Sequence, residues 1–311
     1  MKITALAGGV GAAKLISGLA GIMAPGDLTV VVNTGDDFRW MGLYICPDLD
    51  TMIYTLAGVA NPETGWGVAH DSFHCLERLG RLGCDTWFRL GDMDLATHLY
   101  RTNRLNEDYR LSEVTRELCR QNGIHHCILP MSDDAVPTRV HTNEGELDFQ
   151  DYFVRRKCVP HVEGFSYAGA DRARPAPGVL AALQESEAIV ICPSNPYVSI
   201  GPILAVPGIR DALRRASVPV LAVSPIVGGE ALKGPAAAMM RQLGASPSAA
   251  GIAGLYRDFV SHLVIDRCDE ALREEIEAPG MRVILTDTIM RDRSARAALA
   301  AKILEILSCP A

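Results

Sequence analysis

A glycine-rich turn between an apolar strand and a helix limits most strongly how this chain can fold. Residues 3–7 are apolar, glycines follow at Gly8, Gly9 and Gly11, and Lys14 comes soon afterwards in a helix-forming stretch. A strand that enters a helix through such a turn presents backbone N–H groups to a phosphate at the helix N-terminus. The segment therefore predicts an α/β fold with an anion-binding turn.

This turn differs from the two best-known phosphate-binding motifs. The dinucleotide fingerprint, aligned on Gly9 and Gly11, puts Lys14 where a small residue has to pack. The P-loop requires Ser or Thr after its lysine, whereas Leu15 follows Lys14. The sequence therefore supports neither a standard nicotinamide-dinucleotide site nor a Walker-type NTPase. A tight turn without a ligand is the plainer alternative.

Polar residues directly follow the second apolar segment, 29–33. This segment ends at Asn33, and Thr34, Asp36 and Asp37 come next. Because the carboxyl ends of parallel strands meet at one edge of a sheet, we expect these side chains near the glycine turn. Taken alone, the pattern fits a surface turn equally well.

A second acidic pair, Asp48 and Asp50, follows Pro47 at an apparent helix start. One of these residues could simply cap the helix. Since a single cap suffices, the other aspartate has no structural purpose and is predicted to handle a metal ion or a hydroxyl group. Together with the glycine turn, the acidic residues favour an enzyme that acts on a nucleotide or a diphosphate.

Three further loops carry polar groups after apolar segments. Segment 88–94 contains Arg89, Gly91 and Asp92, for which a surface ion pair is the commoner explanation. Loops 193–202 and 225–235 each follow a predicted strand. Their candidate ligand-binding residues are Ser194, Asn195, Ser199, Gly201, Gly228 and Lys233. Each loop could be an ordinary connection, but polar loops at one sheet edge predict a binding site.

Composition excludes several classes of protein. The net charge is −7 and no Lys/Arg block interrupts it, so no nucleic-acid surface is predicted. No apolar run approaches the roughly 20 residues that cross a membrane. The start of the chain breaks into glycines before a signal-peptide core can form, so we expect no secretion.

The nine cysteines, from Cys46 to Cys309, are odd in number and form no C-x-x-C pair. They predict neither a zinc site nor a disulfide framework. Reduced thiols indicate a cytoplasmic protein.

Buried strands alternate with helices, which predicts a doubly wound, mostly parallel α/β sheet. The predicted strands are 3–7, 29–33, 188–191, 219–223, 262–265 and 282–285. The predicted helices are 12–23, 51–57, 71–82, 112–122, 177–185, 209–216, 235–243, 248–256 and 292–307. Residues 63–169 are predicted to form an inserted, mostly helical second lobe with a hairpin (139–142 and 146–149). Residues 1–62 and 170–311 would form the nucleotide-binding core.

Ordered motifs run along the whole chain. They are AGGVGAAK (7–14), NTGDD (33–37), CPDLDT (46–51), LGD (90–92), DLATH (94–98), QDYFVR (150–155), PSNP (193–196), SIGPIL (199–204) and SPI (224–226). Together they resemble the 2-phospho-L-lactate transferase family (CofD, called FbiA in actinobacteria), which acts in the biosynthesis of the deazaflavin coenzyme F-420.

This resemblance implies a specific reaction. The acceptor would be the deazaflavin Fo, whose terminal ribityl hydroxyl attacks a phosphorus atom. The donor would be a guanosine diphosphate ester of 2-phospholactate, phosphoenolpyruvate or 3-phosphoglycerate, and GMP would leave. Such transfers usually need Mg²⁺ and cationic or N–H donors. We expect a homodimer that takes these small-molecule substrates.

By the same resemblance, candidate residues take three roles. Asp50 is the candidate catalytic residue, and Asp36 and Asp50 are the candidate metal ligands. The candidate acceptor-binding residues are Asn33, Thr34, Asp37, Asp48, Asp50, Arg89, Gly91 and Asp92. The candidate nucleotide-binding residues are Gly8, Gly9, Gly11, Lys14, Ser194, Asn195, Ser199, Gly201, Gly228 and Lys233.

Two alternatives remain at this point. A nucleotide-sugar-binding regulatory protein of the same fold would bind a ligand without turnover. A nicotinamide-dependent dehydrogenase is disfavoured by Lys14 and by the lack of a clear acidic ligand for the ribose.

Overall fold

Seven parallel strands form the central sheet of the computed structural model, which describes residues 1–278 and 280–308. Cys309 lies outside the described residues. In chain order the strands are β1 (Ile3–Ala7), β2 (Leu28–Val32), β3 (Phe38–Trp40), β4 (Leu43–Ile45), β5 (Cys127–Pro130), β6 (Thr138–Thr142), β7 (Gly145–Asp148), β8 (Val162–Tyr167), β9 (Ala188–Ile191), β10 (Val220–Val223), β11 (Ile226–Val227), β12 (Glu230–Ala231), β13 (His262–Asp266) and β14 (Arg282–Thr286).

Helices cover both faces of this sheet. They are α1 (Gly9–Ala20), α2 (Pro47–Leu56), α3 (His74–Arg81), α4 (Asp92–Asn106), α5 (Leu111–Gln121), α6 (Val179–Glu185), α7 (Gly201–Ala205), α8 (Ile209–Arg214), α9 (Ala236–Gln242), α10 (Ala249–Tyr256), α11 (Arg273–Glu277) and α12 (Arg293–Ser308). None of the helices in the described part of the chain is both long and apolar enough to cross a bilayer.

Alternate residues of each central strand enter two separate hydrophobic cores. Leu6 and Val31 lie in one core, whereas Ala5 and Val30 lie in the other. All four side chains are fully buried, which is why the strands read as continuous apolar runs. The predicted doubly wound, parallel α/β sheet is confirmed.

The strand order β14-β13-β10-β9-β1-β2-β5 reverses direction between β1 and β9. The chain builds the sheet outward from β1 through β2 to β5, and then outward on the other side from β9 to β14. Crevices beyond the carboxyl ends of strands at such a reversal are the usual ligand sites in these folds. The glycine turn follows β1 and the loop that begins at Pro193 follows β9, so both predicted loops meet there.

Residues 63–169 contribute more to the sheet than we expected. Strand β5 pairs with β2 in parallel at the edge of the sheet, although it comes from within this segment. The predicted hairpin is present as antiparallel β6 and β7, and β8 adds a third strand. The division into a core and an inserted lobe stays a prediction.

Helix α4 was not predicted from the sequence. Its buried residues are Asp94, His98 and Arg101. Their spacing places them on one face of the helix, but hydrophobic periodicity cannot detect a buried stripe of polar residues. These three residues lie at the site described next.

Candidate active site

A cleft of about 860 Å³ lies at the carboxyl edge of the sheet. It brings together many of the residues predicted from sequence. Those that line it are Gly8, Gly9, Gly11, Lys14, Asp36, Asp48, Asp50, Arg89, Ser194, Asn195, Ser199 and Lys233. The glycine turn, the acidic segments and the loop after β9 therefore form one site.

The glycine turn is held tightly against its neighbours. The Gly8 N–H donates to Ser194 Oγ at 3.3 Å, and that hydroxyl donates back to the Gly8 carbonyl at 2.9 Å. A Cβ at Gly8 would lie 2.7 Å from both Asp48 Oδ2 and Ser199 Cβ, so no side chain fits there. Gly9 has a φ of +74°, which favours glycine, and its N–H donates to Asp48 Oδ1 at 2.8 Å.

The aspartates of α2 do not cap the helix. The residue before its first turn is Cys46, which makes no side-chain cap. Asp48 instead accepts hydrogen bonds from Gly9 and, at 2.9 Å, from the Asn33 amide. The same amide donates to Asp36 at 3.2 Å. Asn33 therefore lies beneath the cleft and holds two carboxylates that line it.

Burial changes the titration of these carboxyl groups. Burial raises the pKa of Asp48 to about 6, against hydrogen bonds from Asn33 and Gly9 that lower it. Burial and the negative charge of Asp48 raise the pKa of Asp36 well above its usual range. The pKa of Asp37 is likewise raised by burial, and neither of its oxygens accepts an N–H or O–H bond from the described residues.

Asp50 is paired with a buried arginine from α4. The Arg101 guanidinium donates from Nη1 to Asp50 Oδ2 at 3.1 Å and from Nη2 to Oδ1. Arg101 Nη1 also lies 3.1 Å from His98 Nδ1, and His98 Nε2 lies 3.2 Å from Asp94 Oδ1. Arg101 is 1% exposed, so the ion pair is isolated from solvent.

Three of these side chains could surround a metal ion. Asp50, Asp94 and His98 each offer one ligand atom within 4.8 Å of the others, and all three are buried. Carboxylate oxygens are the ligands that Mg²⁺ prefers, so Asp50 and Asp94 fit this ion. Asp36, the other predicted ligand, lies outside this group of three and contacts Asn33 and Gln150. Its role as a ligand stays a prediction.

The raised carboxyl pKa values predict that stability depends on pH in one direction. Between the unfolded pKa near 4 and the folded pKa, the folded protein binds more protons, so the free energy of unfolding falls as pH rises. For Asp48 this loss is about 3 kcal/mol by neutral pH. A bound cation offsets the repulsion of the ionised groups. We therefore expect Mg²⁺ to raise the melting temperature more at about pH 8 than at about pH 5.

Thermal unfolding with Mg²⁺ or with the same ionic strength of a monovalent salt would measure this difference. If Mg²⁺ raised the melting temperature equally at both pH values, the prediction would be wrong. Such a result would mean that ionisation of the carboxyl groups does not affect how strongly the protein binds the cation.

Aromatic side chains also line the cleft. Trp87 and Phe88 pack edge to face with ring centroids 5.5 Å apart, and Phe149 and Phe153 stack at 5.4 Å. Trp66 lines the same cleft and is 46% exposed, which is unusual for so large an apolar side chain. Such surfaces suit a planar, conjugated ligand.

Two lysines lie close together at the cleft. Lys14 Nζ donates to the Met290 carbonyl at 3.2 Å, and Lys233 Nζ donates to the Thr64 carbonyl at 3.0 Å. Burial, followed by the charges of Lys233 and Arg296, lowers the pKa of Lys14. Because the positive charges of these side chains repel each other, an anionic ligand bound between them would be favoured.

Some predicted residues do not line the cleft. The Asp92 carboxylate accepts bonds from the Ser72 hydroxyl at 2.6 Å and the His74 N–H at 3.1 Å, at the start of α3. Gly91 packs so closely against Asp71 that a side chain would clash. In this structure both residues connect α3 to α4, and their contact with an acceptor stays a prediction.

Asp37 and three further predicted residues also do not line the cleft. The Gly228 N–H donates to both Asp269 oxygens at 3.1 Å. Gly201 packs directly against Tyr167, and the Thr34 hydroxyl is buried. Their assigned ligand contacts also stay predictions.

Sequence reasoning missed Asp94, His98 and Arg101 as site residues, together with the aromatic rings and Arg291, which also lines the cleft. The spacing of Asp94 and His98, four residues apart, was a signal that could have placed both on one helix face. Nothing local marked Arg101, because its partner Asp50 is 51 residues away.

Comparisons with known proteins give a consistent result. A family sequence model described as 2-phospho-L-lactate transferase CofD matches residues 3–304. A phosphoenolpyruvate transferase of Streptomyces griseus is 43% identical, with 98% of each chain covered. A 2-phospho-L-lactate transferase of Methanopyrus kandleri is 42% identical, covering 99% of this chain and 98% of that protein.

Among solved structures, a UPF0052 family protein of Bacillus halodurans superposes with a TM-score of 0.66 over 98% of both chains. The sequence identity is 14%, so this similarity supports the fold alone.

Proposed function

The chain belongs to the 2-phospho-L-lactate transferase CofD family, and we propose that it transfers a phosphorylated three-carbon acid to Fo in the biosynthesis of coenzyme F-420. The donor is the guanosine diphosphate ester of that acid, and GMP is released.

As a family member, the chain is a transferase. Membership favours an enzyme over the regulatory protein considered above. We place the reaction in the cytoplasm, and the homodimer stays a prediction.

The observation that carries this proposal is that one cleft is lined by two chemically different sets of groups. Glycine N–H groups, Ser194 and the lysines Lys14 and Lys233 suit a diphosphate. Aromatic rings and Arg89, whose guanidinium lies 4.6 Å above the Phe73 ring, suit a planar acceptor. The buried carboxylates of α2 belong to the same cleft, and Asp48 connects directly to the glycine turn.

In the proposed reaction, the ribityl oxygen of Fo forms a bond to the phosphorus that carries the three-carbon acid. The bridging P–O bond to GMP breaks, GMP leaves with the electron pair, and the hydroxyl proton passes to a base. Asp50 orients the hydroxyl. Asp48 is suited to accept the proton, because burial raises its pKa to about 6, closer to neutral than that of an ordinary aspartate.

When bound, Mg²⁺ neutralises charge on the transferring group. Asp50 and Asp94 would hold it, with Asp36 as a further candidate. The protein itself carries a net charge of −7, so Lys14, Lys233 and the N–H groups of the glycine turn have to balance the charge of the donor locally.

Incubation of the protein with Fo, Mg²⁺ and each guanosine-diphosphate-activated acid tests the proposal. We expect GMP release that requires Fo and a product of matching mass. Binding of the nucleotide without GMP release would favour the regulatory protein, and reduction of a nicotinamide would favour the dehydrogenase.

We predict that more than one activated acid is used. The relatives named for phosphoenolpyruvate and for 2-phospho-L-lactate are almost equally similar to this chain. The groups proposed to bind the diphosphate contact the part that all donors share. One extra hydroxyl in a mostly apolar pocket changes preference by only about 1–3 kcal/mol. Competition between donors, with products resolved by mass, measures this, and exclusive use of one donor would show a specific hydrogen-bonding group near the acid.

A further inference from the structure

Arg101 is the charged residue buried most deeply at the candidate active site. It is 1% exposed and projects from α4 towards the carboxylates of α2. A guanidinium buried without compensation is very costly, so partners for its N–H groups are expected, and among the described residues Nη1 and Nη2 have them whereas Nε does not. Its contacts are therefore informative about which side chains the fold holds in place.

The first contact fixes Asp50. Nη1 and Nη2 of Arg101 donate to the two different oxygens of this carboxylate. Two parallel hydrogen bonds between planar groups fix both the position and the rotation of the carboxylate. Each oxygen keeps lone pairs for a cation or a hydroxyl group.

The second contact extends to Asp94. Arg101 Nη1 lies 3.1 Å from His98 Nδ1, and because a guanidinium only donates, Nδ1 accepts. The opposite ring nitrogen lies 3.2 Å from Asp94 Oδ1, although the two atoms do not meet hydrogen-bond geometry. The Tyr54 hydroxyl donates to the same oxygen at 2.8 Å. Arg101 therefore contacts one candidate cation-binding carboxylate directly and orients the imidazole that packs against the other.

We propose that Arg101 is a positioning residue: it fixes the relative positions of the Asp50 and Asp94 carboxylates, so that they can bind a divalent cation and orient the attacking hydroxyl. It touches neither substrate, and acts through the two carboxylates. This inference rests on the proposed function for its catalytic consequence, but its consequence for cation binding is independent of any substrate.

The replacement Arg101→Lys separates positioning from charge. Lysine keeps the positive charge but cannot make the two-point contact, so it is not a conservative change at such a site. We expect kcat to fall about 10–100-fold, with the KM values for Fo and donor nearly unchanged. We also expect a similar weakening of Mn²⁺ binding to the substrate-free protein, measured by electron paramagnetic resonance.

Arg104→Lys is the matched control. Arg104 lies on the same helix and also makes a two-point contact, with Glu117 at 3.0 and 2.8 Å, outside the cleft. Its replacement by lysine should leave kcat and Mn²⁺ binding unchanged. If both replacements lowered kcat and Mn²⁺ affinity equally, the proposal would be overturned. The losses would then come from a general disturbance of α4 and not from the contact between Arg101 and Asp50.

A double-mutant cycle tests whether Arg101 acts through Asp50. If it does, Arg101→Lys should weaken Mn²⁺ binding less in the Asp50→Asn variant than in the wild-type protein, because only the placement of Asp94 is left to lose. Additive losses would overturn the proposal, as would wild-type kcat and Mn²⁺ affinity in Arg101→Lys. If the lysine variant does not fold, Arg101→Gln replaces it: glutamine keeps an N–H donor for Asp50, and since removing the positive charge by itself favours cation binding, the expected loss of Mn²⁺ affinity would trace to positioning.

The two proposals fail separately. Absence of GMP release from the wild-type protein would contradict the proposed function, whereas Mn²⁺ binding measured without substrates would still decide the role of Arg101.

Discussion

Replacing Asp50 by asparagine is expected to lower the rate of GMP release by about 10²–10³-fold, the cost of removing one group that places charge at a reacting centre. The substitution removes the negative charge but keeps an oxygen that can accept a hydrogen bond from Arg101. We therefore expect the fold to persist. Steady-state assays with Fo and an activated acid, together with thermal unfolding, measure both effects. Near-normal GMP release would show that Asp50 only neutralises Arg101.

Alanine at the same position should behave differently. Asp50→Ala leaves the buried guanidinium of Arg101 without its partner, and breaking a buried pair from one side costs about 3–5 kcal/mol of the free energy of unfolding. The Asp258→Ala variant is a matched control. Asp258 accepts two hydrogen bonds from Arg210, at 3.0 and 2.7 Å, on the surface away from the cleft. Because that pair is solvated, its loss should change stability far less and leave turnover unchanged.

The second large effect is expected at Gly11. A Cβ at this position would lie 2.6 Å from the Pro193 carbonyl oxygen, which belongs to the backbone and cannot rotate away. Gly11→Ala should therefore push the glycine turn away from the loop after β9. We expect a loss of about 1–3 kcal/mol in stability and a marked rise in KM for the donor. Binding of the GDP-activated acid and thermal unfolding check the two parts.

Gly18→Ala distinguishes steric strain from loss of the site. Gly18 lies further along α1, where a Cβ would clash with the Arg296 carbonyl of α12. This variant should be destabilised in the same way, because the clash is again with backbone. Its KM for the donor should stay normal, since Gly18 does not line the cleft. A similar rise in KM in both variants would mean that Gly11 affects the donor only through overall stability.

Local patterns in the sequence were sufficient for the framework of the fold. The segments that became β1, β2, β9, β10 and β13 are short, mostly apolar and buried on both faces, and the edge strand β14 is mostly apolar but only partly buried. The glycine turn was equally recognisable, because the conformation of Gly9 and the close packing at Gly8 and Gly11 exclude other residues. Asp36, Asp48 and Asp50 were identified because they follow strands or begin a helix.

Local patterns were insufficient where a residue serves a distant partner. Asp92 is one example: a surface ion pair was the commoner local explanation, but its carboxylate accepts bonds from the first turn of α3, and its role with an acceptor stays a prediction. Strand β5 escaped prediction within the segment assigned to a separate lobe, since only its pairing with β2 makes it part of the sheet. The aromatic rings that line the cleft come from several segments, and no sequence period connects them.

The clearest case is the stripe of Asp94, His98 and Arg101 on α4. A buried polar residue is costly by itself, so a sequence provides no reason to place one inside. Burial becomes favourable only when the fold supplies the compensating group, here Asp50 of α2. The positions of the strands and of the glycine turn follow from the preferences of neighbouring residues. The pairing of Arg101 with Asp50 depends on two helices that meet only after the sheet has formed, and so the tertiary structure alone decided it.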